Sequence, residues 1–258
     1  MGAPRSAPGE LEKRGHGIVC ACDLDDLDAA RSLLEAIDPV DGLAGYKLGS
    51  LLTLRYGLGT VVKTFRKLTG KMLLYDHQKA GLDIPSMAAG FVSTCRDAGV
   101  DALILFPLAG PGAVEAFVGA TLEAGLLPIV GGALPLRDYF VKGGGYVVPG
   151  ALARITERAF RLGARDFIIP ATDAAAVRRH VGRFAGRRAT RLFMPGIGPL
   201  GGDIKRAFAA AQGLSAWAII GRAIYADPRP GEAARRLAGE ALAFDNEKAP
   251  RAKRKAGR

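Results

Sequence analysis

The 258-residue chain predicts an α/β fold, specifically a (β/α)8 TIM barrel, and three observations carry that expectation. Eight short apolar runs alternate with amphipathic stretches, the length suits a single barrel domain, and no second block of composition interrupts the alternation. Alternation of this kind calls for a parallel sheet covered by helices, whose strands are apolar on both faces. Eight repeats favour closure over an open sheet. The chain therefore divides into a flexible N-terminal segment, 1–14, a catalytic barrel domain, 15–246, and a basic flexible C-terminal tail, 247–258.

The strands are read in order as GIVCACDL (17–24), AGYKLGS (44–50), KMLLYDH (71–77), DALILFP (101–107), LLPIVGG (126–132), DFIIPAT (166–172), TRLFMPG (190–196) and AWAIIGR (216–222). Helices are read from apolar positions three or four apart between polar caps. The first three are DDLDAARSLLEAID, SLLTLRYGLGTVVKTFRKLT as one continuous helix, and IPSMAAGFVSTCRDAG. GAVEAFVGATLEAG, ALARITERAFRLG, DAAAVRRHVGRFAG, IKRAFAAAQG and PGEAARRLAGEALAFDNE complete the set. Residues 132–150 break the pattern with a glycine triplet and no helical period. They predict a long loop after the fifth strand, on the side where a barrel carries its active site.

Composition excludes several classes. With 49% hydrophobic residues and 35 glycines, the chain suits a large core joined by tight turns. Cys20, Cys22 and Cys95 form neither a disulfide framework nor a metal knuckle, which points to a reducing compartment and packed-core roles. His16, His77 and His180 are too far apart for a histidine-rich zinc site, and no metal or cofactor is expected. The polar start and the lack of an apolar run of about 18 residues predict a cytoplasmic protein with no membrane partner. The net charge of +11 is concentrated at the end, where six Lys and Arg residues face only Glu247. A solvated tail accounts for that charge, and a nucleic-acid partner is not expected.

Ionisable residues fall at strand ends. Asp23 ends the first strand, Lys47 lies in the second, Asp76 ends the third, and Lys79 and Asp83 follow it. In a barrel these positions gather at one mouth. Burying such groups is costly unless they are paired, so an alternating acid–base network is a candidate for chemistry. The alternative is that Asp76 and Asp83 cap the next helix while the lysines reach solvent. His77, directly after Asp76, is a candidate for orienting it or touching substrate, with a loop role as the alternative. Gly201 and Gly202 in PGIGPLGGD, with Gly221 and Arg222 in GRAIY, lie after strands seven and eight. Loops there commonly hold phosphate through backbone N–H groups, and a guanidinium would add charged donors.

These landmarks together resemble the orotidine 5'-phosphate decarboxylase family, in particular its short archaeal-type members. The resemblance runs from Asp23 to Ile224, through YKLG around Lys47, DHQKAGLDIP for the family's D-x-K-x-x-D-I-P, PGIGPLGGD and GRAIY. It implies decarboxylation of orotidine 5'-monophosphate to uridine 5'-monophosphate in pyrimidine synthesis, without a cofactor. Asp23 and Lys47 would meet the ribose hydroxyls, Asp76 the departing carboxylate, and Lys79 would protonate the ring carbon. Asp83 would come from the neighbouring subunit of a homodimer, and Gly201, Gly202, Gly221 and Arg222 would grip the phosphate. Departures are visible too: His77 and Gln78 separate Asp76 from Lys79 where the family has one residue, and Ala80, Gly81 and Leu82 separate Lys79 from Asp83 where it has two. Leu200 replaces a Gln, Met87 a Thr, and no Ser or Thr follows strand five. Two other readings are a Mg²⁺-dependent sugar-phosphate lyase or decarboxylase of the same superfamily, disfavoured because no Glu adjoins Lys47, and a non-catalytic barrel binding nucleotide or nucleic acid through its tail.

Overall fold

The apolar runs become eight parallel strands: β1 (His16–Cys22), β2 (Leu43–Leu48), β3 (Met72–Asp76), β4 (Ala102–Leu105), β5 (Leu127–Val130), β6 (Asp166–Ile168), β7 (Arg191–Pro195) and β8 (Ser215–Ile220). They pair in sequence order into a closed barrel, with β1 returning to β8 from His16↔Ala216 to Cys20↔Ile220. The structure, a computed structural model, describes Leu11 and residues 14–77, 82–184, 190–211 and 213–248. Lys79 and the tail beyond Lys248 lie outside the described residues.

Helices fill the outer layer: α1 (Leu27–Ile37), α2 (Ser50–Tyr56), α3 (Leu58–Arg66), α4 (Ala88–Ala98), α5 (Pro111–Glu123), α6 (Ala151–Arg161), α7 (Ala174–Val181), α8 (Ile204–Ala210), α9 (Arg222–Tyr225) and α10 (Pro230–Lys248). Asp26, Asp173 and Asp203 cap α1, α7 and α8, each accepting from backbone N–H groups of the first turn. The stretch read as one helix over 50–69 is two, because the chain turns at Gly57 (φ 78°) between α2 and α3. Spacing of apolar residues continues across that turn, so periodicity hides the break, and only a residue without Cβ takes such an angle at little cost.

Strand parity sorts the interior into two cores. Ile18, Cys20, Cys22, Tyr46, Leu73 and Tyr75 face the helices, while Val19, Ala21, Leu74, Ile104, Ile168, Phe193 and Trp217 fill the barrel. The cysteines are therefore packing residues under the helix layer, and burial pushes the Cys95 thiol up to about 12. Leu11 is buried among the barrel-filling residues, within the segment expected to be flexible. After β5 the expected long loop is present: it makes a single 3-10 turn, Val141–Gly143, and a bridge between Phe140 and Val147. Tyr139 ties it down by donating to the Gly132 carbonyl at 3.0 Å. Among the described residues no helix is long and apolar enough to cross a membrane.

Candidate active site

The parity that fills the barrel also aims Lys47 and Asp76 inward at its C-terminal mouth, and Asp23 follows one residue beyond β1 on the same face. The Lys47 Nζ donates to Asp23 Oδ1 at 2.8 Å and to Asp76 Oδ2 at 2.9 Å. Lys47 and Asp76 side chains are each 10% exposed and Asp23 44%, so the network is deep at one end and open at the other. Burial alone would pull the Lys47 pKa down. The charges of Asp76 and Asp23, with their hydrogen bonds, outweigh it and hold the ammonium above the ordinary lysine value.

Among the described residues, one ammonium serves two carboxylates, and Asp76 Oδ1 is buried with no hydrogen-bond partner. Leaving a buried acceptor unpaired costs about 1–3 kcal/mol, more for a charged group. Such a cost marks a group held ready for something other than folding. Asp76 does not cap a helix, which disposes of that alternative for it. Gly49 makes the arrangement sterically possible: a Cβ there would lie 2.3 Å from Asp23 Oδ1.

The network forms one wall of a cavity of about 250 Å³. Gly221, Arg222 and Tyr225 line it from the end of β8, and Gly196, Ile197 and Leu200 from the loop after β7. Gly221 precedes α9, whose first N–H groups have no acceptor within the helix. Burial, helped by the charge of Asp23 and opposed by Arg222 and Lys47, raises the Tyr225 pKa, so its hydroxyl stays protonated and able to donate.

Several expected site residues are elsewhere. His77 is a correction: adjacent to inward Asp76, it must face outward, and its Nδ1 meets the Tyr75 hydroxyl at 2.9 Å beside Phe91. It lines a separate groove with Asp83 and Met87. Asp83 accepts from its own Ile84 N–H at 2.7 Å and does not join the Lys47 network of its own chain. Gly201 and Gly202 do not line the cavity. Their N–H groups are donated to the carbonyls of Gly198 (2.7 Å) and Gly196 (2.9 Å), so these glycines shape the loop and leave no donors for a ligand. Lys79, the expected proton donor, lies outside the described residues.

Two contributors went unassigned in the sequence. Tyr225 sits in the GRAIY stretch, which was its signal, whereas the role of Gly49 has no local signature because it depends on a contact with β1. Among the described residues, no three His, Cys, Asp or Glu side chains converge in a metal-holding group.

A closed eight-stranded barrel with a buried acid–base network at its C-terminal mouth belongs to the class of (β/α)8 barrel enzymes. The family model for the orotidine 5'-phosphate decarboxylase / HUMPS family matches residues 17–237, and the chain belongs to that family. The orotidine 5'-phosphate decarboxylase of Thermococcus kodakarensis is 30% identical over 219 residues, 85% of this chain and 94% of that one. That of Methanosarcina barkeri is 28% identical over 230 residues, 86% and 93%. Among solved structures, orotidine 5'-monophosphate decarboxylase from Methanocaldococcus jannaschii complexed with the inhibitor BMP superposes with a TM-score of 0.73 at 22% identity, covering 87% of this chain and 97% of that one. The Pyrococcus horikoshii enzyme gives 0.70 at 24%, covering 86% and 98%. At these identities the two structures establish the shared fold.

Proposed function

We propose that this chain decarboxylates orotidine 5'-monophosphate to uridine 5'-monophosphate without a cofactor. The observation that carries the reading is the buried Asp23–Lys47–Asp76 network, with an Asp76 oxygen unpaired among the described residues, in a chain of the orotidine 5'-phosphate decarboxylase / HUMPS family. Asp23 and Lys47 face the ribose hydroxyls and Asp76 faces the substrate carboxylate. Gly221 and Arg222 take the phosphate, one through backbone N–H and one through its guanidinium.

The bond between the ring carbon and the carboxylate breaks, carbon dioxide leaves, and the electron pair stays on the ring carbon. Lys79 transfers a proton from its ammonium to that carbon, then regains one from water. Fixed cations placed where the carbanion develops lower the barrier because they need not reorganise as charge shifts. Phosphate binding, remote from the bond that breaks, holds the ring against Asp76. Asp83, which stands outside its own chain's network, completes the array from a second copy in a homodimer.

The test follows loss of orotidine 5'-monophosphate by ultraviolet absorbance in EDTA, with wild type beside Lys79→Ala. Turnover in EDTA that falls at least about 10³-fold in the variant is expected. A folded wild type that is silent in EDTA and active on a sugar phosphate once Mg²⁺ is restored would move the chain to the metal-dependent reading.

A further inference from the structure

The cavity has two unlike halves. Every polar side chain that lines it among the described residues comes from the first three strands and the ends that follow β8 and β1: Arg222 and Tyr225 in α9, Asp23 after β1, and Lys47 and Asp76 in β2 and β3. The wall contributed by β4 to β7 and their loops has none. It presents Ile104, Phe106, Leu134, Ile168, Ile197 and Leu200, with proline, alanine and glycine between them. Strand order makes this a segregation in space, because β8, β1, β2 and β3 are consecutive neighbours around the barrel.

Resting on the proposed function, this division has a consequence for specificity. The charged half takes the phosphate, the sugar hydroxyls and the carboxylate, so the ring must lie with its far edge toward the apolar half. A pyrimidine presents hydrogen-bonding groups on that edge. A site built to pair such groups rejects a mismatched analogue by about 10⁴-fold or more, whereas an apolar wall discriminates by about 10²-fold at most and mainly by size. Uracil and cytosine are nearly the same size and differ in which edge positions donate and accept.

We infer that this site is indifferent to the hydrogen-bonding pattern of the ring edge, and that it takes phosphorylated ribosyl compounds of uracil-like and cytosine-like edge alike. Leu200 is the residue that most directly sets this indifference. It lies in the loop after β7, lines the apolar wall and is 47% exposed.

Isothermal titration with uridine 5'-monophosphate, cytidine 5'-monophosphate and ribose 5-phosphate tests the inference on the wild type and on Leu200→Gln. The two nucleotides are expected to bind the wild type with Kd values within about threefold, both tighter than ribose 5-phosphate. Leu200→Gln is expected to separate them about tenfold or more by supplying an edge partner, with ribose 5-phosphate unchanged. A wild-type preference of about 30-fold for either nucleotide would assign the edge to backbone groups and overturn the inference while leaving the proposed function standing. If none of the three ligands binds folded protein, the proposed function fails and this inference with it. Circular dichroism of Leu200→Gln guards against misfolding, and the wild-type ratio alone decides should the variant not fold.

Discussion

Both ends of the barrel bury ion pairs, and they are built to different standards. At the N-terminal end the first residues of β6 and β7 meet: Arg191 Nε donates to Asp166 Oδ1 at 2.5 Å and Nη2 to Oδ2 at 2.8 Å. The guanidinium fork satisfies both carboxylate oxygens. Burial raises the Asp166 pKa, and Arg191 works against that rise. Nearby, Asp101 is held by Arg66 and also accepts the Leu73 N–H at 2.8 Å. At the C-terminal mouth, among the described residues, one ammonium faces two carboxylates and Asp76 Oδ1 has no partner. At the N-terminal end the Arg191 fork meets both oxygens of Asp166; at the mouth, among the described residues, a single ammonium is shared by two carboxylates and one acceptor stays open. Completeness of bonding, more than burial or sign, is what separates a charge that holds the barrel together from one kept for a ligand.

Asp76→Asn probes that contrast with the largest expected effect. The amide can still accept from Lys47, while the negative charge facing the substrate carboxylate is removed. Turnover of orotidine 5'-monophosphate is expected to fall by about 10³-fold or more, about 4 kcal/mol in the barrier. The melting temperature is expected to hold or rise, as befits a site that trades stability for activity. A variant that melts much lower yet keeps its turnover would break the comparison, making Asp76 a structural charge like Asp166.

Arg191→Met is the converse test. It leaves Asp166 buried and uncompensated, and breaking a buried pair in this way costs about 3–5 kcal/mol. Denaturant unfolding is expected to show that loss, with kcat of the folded enzyme unchanged. Lost turnover at full stability would mean that the two ends are coupled and that bonding completeness does not sort them.

The sequence made one end of this contrast readable and left the other hidden. Eight apolar runs located the strands because helix-covered strands are apolar on both faces, and Asp23, Lys47 and Asp76 stood out as charges interrupting them. The outward direction of His77 was available from strand alternation, since a neighbour of an inward residue cannot share its face. Gly201 and Gly202 could not be judged: glycine richness shows that N–H groups can come close to a ligand, and only the folded loop shows that they are already used. The Arg191–Asp166 pair had no local signature, because its partners lie in different strands, 25 residues apart. Leu11 was likewise one apolar residue in a polar stretch, given meaning only by the barrel floor above it.

The smallest expected effect concerns a group that neither end uses. His180, in α7, keeps its Nδ1 buried with no hydrogen-bond partner among the described residues. Burial, then the positive charges of Arg183 and Arg179, lower its pKa. Its folded form therefore stays neutral while the unfolded chain takes up a proton as pH falls through about 6.5. The unfolded state binds more protons in that window, so stability must drop there as pH falls. Melting curves at pH 7.5 and 5.5 are expected to differ less for His180→Leu than for wild type. An equal difference in both would place the acid sensitivity elsewhere, and the carboxylates of the mouth would be the next groups to substitute.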